Sequence, residues 1–189
     1  MNKKINPDYY IGSKIQVSEF ISEFNLNYFE GNIIRRNRKK SWRNNMNIEK
    51  IKEEIKEEEG YRDTMYRDHL GFATIGYGHL VLPSDKFKEG VKYSHKELLK
   101  VLDYDFQIAR QDMESLTNHL DLPEEAKEII LHMLFQLGKP KVMKFKKMWA
   151  ALERKDFVTA GFEMEDSLWC KKHTPARAMR LSEKMKKLT

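Results

Sequence analysis

The stretch from Glu59 to His79, EGYRDTMYRDHLGFATIGYGH, breaks the helical pattern that runs through most of the chain, and so limits what it can fold into. Upstream, Ile48, Ile51 and Ile55 recur at helical spacing among Lys and Glu. That predicts a short amphipathic helix running into Glu59 and stopping at Gly60. Downstream, His69-Leu70-Gly71 reads as a turn, and Phe72-Ala73-Thr74-Ile75 with the alternating glycines Gly76 and Gly78 reads as a strand that something approaches closely. One carboxylate, Glu59, therefore stands at a helix end and a second, Asp68, beside a hairpin turn, with the Thr74 hydroxyl on the following strand. That is a layout for carboxylate chemistry.

The remainder reads as helix. Ser94 and Glu97 form a capping box, and Leu98, Leu102, Phe106, Ala109 and Met113 continue it as a long amphipathic helix. Such a helix suits the connection between a small lobe and a larger helical one. Pro123-Glu124-Glu125 opens the next helix, which breaks at Gly138. Shorter helices are predicted over 142–153, 156–166 and 175–187, the last entered by Thr174. The expected fold class is α+β, mostly helical, with one β-hairpin lobe.

This is also where a family becomes recognisable. Glu59-Gly60, then Tyr66-Arg67-Asp68, then Gly71 through His79 resemble the active-site segment of the phage-type lysozymes, the muramidases used as endolysins by tailed phages. Leu134-Phe135-Gln136-Leu137-Gly138, Phe145, and Trp169 followed by Thr174-Pro175-Ala176-Arg177 match the family's C-terminal lobe in order, with one extra residue just before Thr174. The resemblance covers residues 46–189 and implies a lysozyme-like two-lobe fold with no cofactor and no metal. By position it implies Glu59 as general acid, Asp68 as general base and Thr74 as the water-positioning residue. It implies Gly78, Leu80, Phe135, Gln136 and Arg177 as substrate-binding residues. Lys171-Lys172-His173 departs from the neutral polar residues the family commonly carries at the cleft edge.

The residue types support those roles. Glycosidic hydrolysis needs two carboxyls in different protonation states. Glu59 ends an acidic cluster with Glu53, Glu54, Glu57 and Glu58, where like charges favour a protonated acid. Asp68, in a polar turn, suits the base that activates water. Taken singly, Glu59 also reads as a solvated helix face, Asp68 as turn chemistry, and Phe135 as core. His79 reads as a structural residue with Asp105 as its expected partner. Trp149 and Trp169 read as core.

Composition sets the outer limits. At 189 residues the chain holds one full domain with room for an appendage. Charged residues make up 34% and no apolar run nears the roughly 20 residues of a membrane span, so a soluble protein is expected. Met1-Asn2-Lys3-Lys4 is basic without an apolar segment behind it, which argues against a secretory signal. Cys170 is the one cysteine and reads as a reduced thiol. The formal charge of +6 is uneven: residues 1–46 hold nine Lys/Arg and four Asp/Glu, leaving 26 and 25 in the remainder. Basic character is thus expected in an N-terminal extension, residues 1–45, a partial helical fragment or flexible arm, and not in the catalytic domain, 46–189.

The functional expectation is an endolysin that cleaves peptidoglycan between N-acetylmuramic acid and N-acetylglucosamine. It would be a monomer with no obligate nucleic acid, held in the host cytoplasm until a holin opens the way to the periplasm. The alternatives are a virion-associated lysozyme attached through residues 1–45, and a non-catalytic wall- or nucleic-acid-binding protein.

Overall fold

The computed structural model describes residues 46–68 and 71–189, so the readings made for residues 1–45 and for His69-Leu70 lie outside the described residues. The described residues fall into two compact units, a sheet-bearing one over 59–104 and a helical one made of 46–58 with 105–189.

Helix α1, Ile48–Glu59, buries Ile51 and Ile55, as its spacing predicts. It ends at Gly60, whose φ of +69° is left-handed and costs glycine nothing. The sheet-bearing unit then runs through β1, Arg62–Arg67, β2, Ala73–Gly76, and β3, His79–Leu80, in one antiparallel sheet of order β1-β2-β3. A short third strand therefore extends the expected hairpin. Tyr66 pairs with Thr74, and Thr74 with Leu80, which sets these three residues in one row on one face of the sheet. What approaches Gly76 closely is a core side chain: a methyl built there would lie 3.4 Å from Leu98. His79 is 1% exposed, with Nε2 3.3 Å from Asp85 Oδ2, a partner the sequence did not mark. Asp105, the partner expected for it, is also buried.

Helix α2, His95–Thr117, starts from the predicted capping box. Ser94 N–H and Oγ both donate to Glu97 Oε2, and Glu97 N–H returns a bond to Ser94 Oγ.

In the helical unit, α3, Glu124–Leu137, buries eight residues, among them Ile129 through Phe135 without a break. A helix apolar on every side belongs at the centre of a packed body. His132, 4% exposed, is the one polar residue in that buried run. The helix predicted over 142–153 is instead two, α4, Lys139–Val142, and α5, Lys146–Glu153. The Val142 carbonyl, which a continuous helix would use internally, accepts the Trp149 indole N–H at 3.0 Å. Helix α6, Phe157–Glu165, is capped by Asp156, whose Oδ1 accepts Thr159 N–H at 3.0 Å.

Before α7, Pro175–Lys186, residues Trp169–His173 form a π-helical turn, with Thr174 N–H bonded to Trp169 O at 3.1 Å. That five-residue step is the hydrogen bond of a π-helical turn. Gly161 lets α6 and α7 meet closely: Ser182 Oγ donates to its carbonyl at 3.0 Å, and an added methyl would fall 3.0 Å from the Ser182 carbonyl oxygen. Gly161→Ala is therefore expected to destabilise the protein by about 1–3 kcal/mol, read from urea denaturation. An unchanged midpoint would show that the Lys186 stem and α7 give way freely.

Candidate active site

In the sheet-bearing unit the turn between β1 and β2 fixes Asp68. Its backbone N–H donates to Phe72 O at 2.9 Å, its carbonyl accepts Gly71 N–H at 2.9 Å, and its Oδ1 accepts Phe72 N–H at 2.8 Å. Gly71, at φ +86°, supplies the backbone that this closure needs. The carboxylate is thus held by the turn that presents it, as the turn reading of Asp68 expects. Thr74, 5% exposed, donates its hydroxyl proton to Phe72 O at 3.1 Å.

Glu59 reaches the same unit from the end of α1. A methyl on Gly78 would lie 2.8 Å from Glu59 Oε2, and Gly78 itself has φ +76°. Gly78 is glycine for two reasons, its backbone and the carboxyl lying on it. Tyr66 reports both carboxylates at once. Burial pushes its phenol above the ordinary value and, against the opposing charge of Arg62, the negative charges of Glu59 and Asp68 push it further. The Arg62 guanidinium lies 4.5 Å from the Tyr66 ring centre. Tyr66 is also the cross-strand partner of Thr74, which pairs in turn with Leu80. Sequence reasoning passed over Tyr66, though its place two residues before Asp68 on an alternating strand was the available signal.

The helical unit arranges the other expected residues. Gln136 is held at both ends of its amide: Oε1 accepts Trp169 Nε1–H at 2.9 Å and Nε2 donates to Thr174 Oγ1 at 2.9 Å. Phe135 is 8% exposed and largely in the core. Arg177 Nε lies 2.9 Å from Glu58 Oε2, and Arg180 pairs with the other oxygen, Glu58 Oε1. His132 faces the same α1 surface, with Nε2 3.3 Å from Glu54 Oε2 and Nδ1 3.6 Å from Glu58 Oε2. The latter distance makes the contact electrostatic rather than a formed hydrogen bond. An open cavity of about 450 Å³ adjoins this group, lined by Glu58, Thr174, Pro175, Ala176, Arg177 and Arg180. The acidic cluster expected around Glu59 is therefore compensated by cations at Glu54 and Glu58, including Lys184 at 3.7 Å from Glu54. Among the described residues no group of three or more His, Cys, Asp or Glu is placed to hold a metal ion.

The phage lysozyme family profile matches residues 56–182, a span that contains every residue of this arrangement except Glu54 and Lys184. The chain belongs to the phage lysozyme family. Two probable T4-type lysozymes of Dictyostelium discoideum, numbers 1 and 2, are 29% and 27% identical to it over 157 residues, covering 71% of this chain and 92% of each relative. It is thus a muramidase-type hydrolase, and peptidoglycan is the substrate of its family.

Glu58 gives this lysozyme a testable acid response. Burial disfavours its charge, but His132, Arg177 and Arg180 outweigh burial and hold the carboxyl below its ordinary value of 4.5. A carboxyl lowered in the folded state stabilises fully above its unfolded value, and that stability is lost as pH falls through the folded one. Thermal midpoints of the wild type should drop from about pH 4.5 downward, and Glu58→Gln should lower the neutral-pH midpoint while flattening the acid limb. Parallel curves for the two proteins would place the acid sensitivity elsewhere.

Proposed function

We propose that this lysozyme is an endolysin that hydrolyses the bond between N-acetylmuramic acid and N-acetylglucosamine by an inverting acid–base route and so lyses a bacterial host. The observation that carries the reading is the Glu59 carboxyl lying over Gly78 in the unit whose turn fixes Asp68 and whose next strand carries Thr74. In this mechanism Glu59 gives its proton to the glycosidic oxygen as the C–O bond breaks through an oxocarbenium-like state. Asp68 takes a proton from water, which attacks the opposite face of the sugar and inverts its configuration.

Thr74 acts as an acceptor in this scheme. Its one proton is committed to Phe72 O, so its lone pairs receive a water proton while the water's second proton points to Asp68. That leaves the water's own lone pair for the sugar. Gly78, Leu80, Phe135, Gln136 and Arg177 are the substrate-binding residues in this reading. Because both atoms of the Gln136 amide already have partners, its orientation toward a sugar is preset. The enzyme acts as a monomer, is held in the host cytoplasm, and meets the periplasmic wall after a holin opens the membrane.

Turbidity clearing of outer-membrane-permeabilised Gram-negative cells tests the chemistry. At equal folded concentration, Glu59→Gln and Asp68→Asn should each slow clearing by about a hundred- to ten-thousand-fold. Equal clearing by Glu59→Gln and wild type would remove Glu59 from the acid role. The anomer first released, followed by NMR, should be inverted; a retained anomer would make Asp68 a nucleophile. Expression inside cells with and without a holin tests the endolysin role, which predicts prompt lysis only with it.

A further inference from the structure

Five lysines, Lys139, Lys141, Lys144, Lys146 and Lys147, fall in the nine residues from α4 to the start of α5, and no Asp or Glu occurs between Glu128 and Glu153. A second basic run, Lys171-Lys172-His173, occupies the π-helical turn. The two runs converge in the fold. The Phe145 ring stands edge-on to Trp169 with centroids 6.2 Å apart. Asp166, ion-paired with Lys171, also feels the charge of Lys147. Of the nearby acids, Asp166 is engaged by Lys171 and Asp112 by Lys139 at 3.0 Å. Large apolar side chains stand exposed within each run's neighbourhood: Met143, 52% exposed, in the first, and Leu168, 63% exposed, beside the second.

We propose that this cationic face of the helical unit, with Met143 and Leu168 as apolar tips, docks on an anionic phospholipid surface. Lysines supply attraction to lipid phosphates, and exposed apolar side chains enter the headgroup boundary. Nucleic acid fits less well. Polyanion readers of single strands offer open aromatic faces for base stacking, whereas Trp169 is 3% exposed and Phe145 is packed against it. Met143 and Leu168 give a soluble polyanion nothing to bind, and give a bilayer two insertion points.

The test is co-sedimentation of the full-length protein with vesicles of phosphatidylcholine alone, or of phosphatidylcholine with phosphatidylglycerol, at low and raised salt. Binding is expected to the anionic vesicles only and to weaken with salt. Each surface lysine strengthens such partitioning by about fivefold, so Lys146→Glu/Lys147→Glu should weaken it by at least about tenfold. Lys96→Glu/Lys100→Glu, an equal charge change on exposed positions of α2, should leave most of it. Met143→Ser/Leu168→Ser should weaken binding several-fold at unchanged net charge, with thermal melting confirming that each variant folds. The proposal is overturned if both lysine variants behave alike. It is overturned equally if the serine variant binds as wild type while duplex DNA competes fully, which would mark a surface for soluble polyanions.

Discussion

Three carboxylates, Glu57, Glu58 and Glu59, end helix α1, and this is the wrong end of a helix for negative charge. The aligned peptide dipoles place partial negative charge there, so acidic side chains in a last turn are disfavoured unless something offsets them. Arg177 and Arg180 from α7 supply the offset at Glu58, and His132 and Lys184 extend it to Glu54. The pairing of Glu58 is mostly sheltered, with its side chain 18% exposed and that of Arg177 10% exposed, so solvent and salt screen it less than a surface pair. Removing one partner would leave a sheltered charge uncompensated, which is costlier than never having built the pair. Successive helical side chains differ by about 100°, so Glu59 leaves α1 in a different direction from Glu58, and its carboxyl lies over Gly78.

Glycine and turn geometry complete what the charges begin. Gly78 accepts the Glu59 carboxyl where any side chain would displace it, and Gly71 allows the turn whose amide holds Asp68. Side chains held by backbone amides and packed strands have little orientation left to lose, which is what the acid–base roles proposed for Glu59 and Asp68 require. Thr74 is held in the same way: one local bond commits its hydroxyl proton to the Phe72 carbonyl.

How much of this was legible in the sequence depended on distance along the chain. The end of α1, the Ser94 capping box, the Asp156-started helix and the alternation of β2 are local signals, and residue types alone carry them. The family pattern supplied Glu59, Asp68 and Thr74 because they too lie within one short stretch. The ion pairs that anchor α1 were not legible. Glu58 and Arg177 are far apart in sequence, and nothing in α1 marks which of its five acids before Glu59 meets a cation. His132 was hidden for a related reason: within an apolar run, a histidine gives no sign of the carboxylates it will face. The break between α4 and α5 also escaped, since the Trp149 indole that takes the Val142 carbonyl leaves the helical periodicity intact.

Charge shows the same limit most plainly. Counted along the chain, the residues after the first 46 are nearly neutral, with 26 basic against 25 acidic, and that sum suggests a domain indifferent to charged surfaces. A sum carries no position. In the fold, acids gather on α1, where α7 cations meet them, while the lysines of two separate runs come together around Phe145 and Trp169. A surface field depends on charges within about a Debye length, roughly 8–10 Å, and not on the total. A near-neutral domain can therefore present a strongly cationic face. What decides its meaning is the company the lysines keep, and here that company is two exposed apolar side chains rather than open aromatic rings.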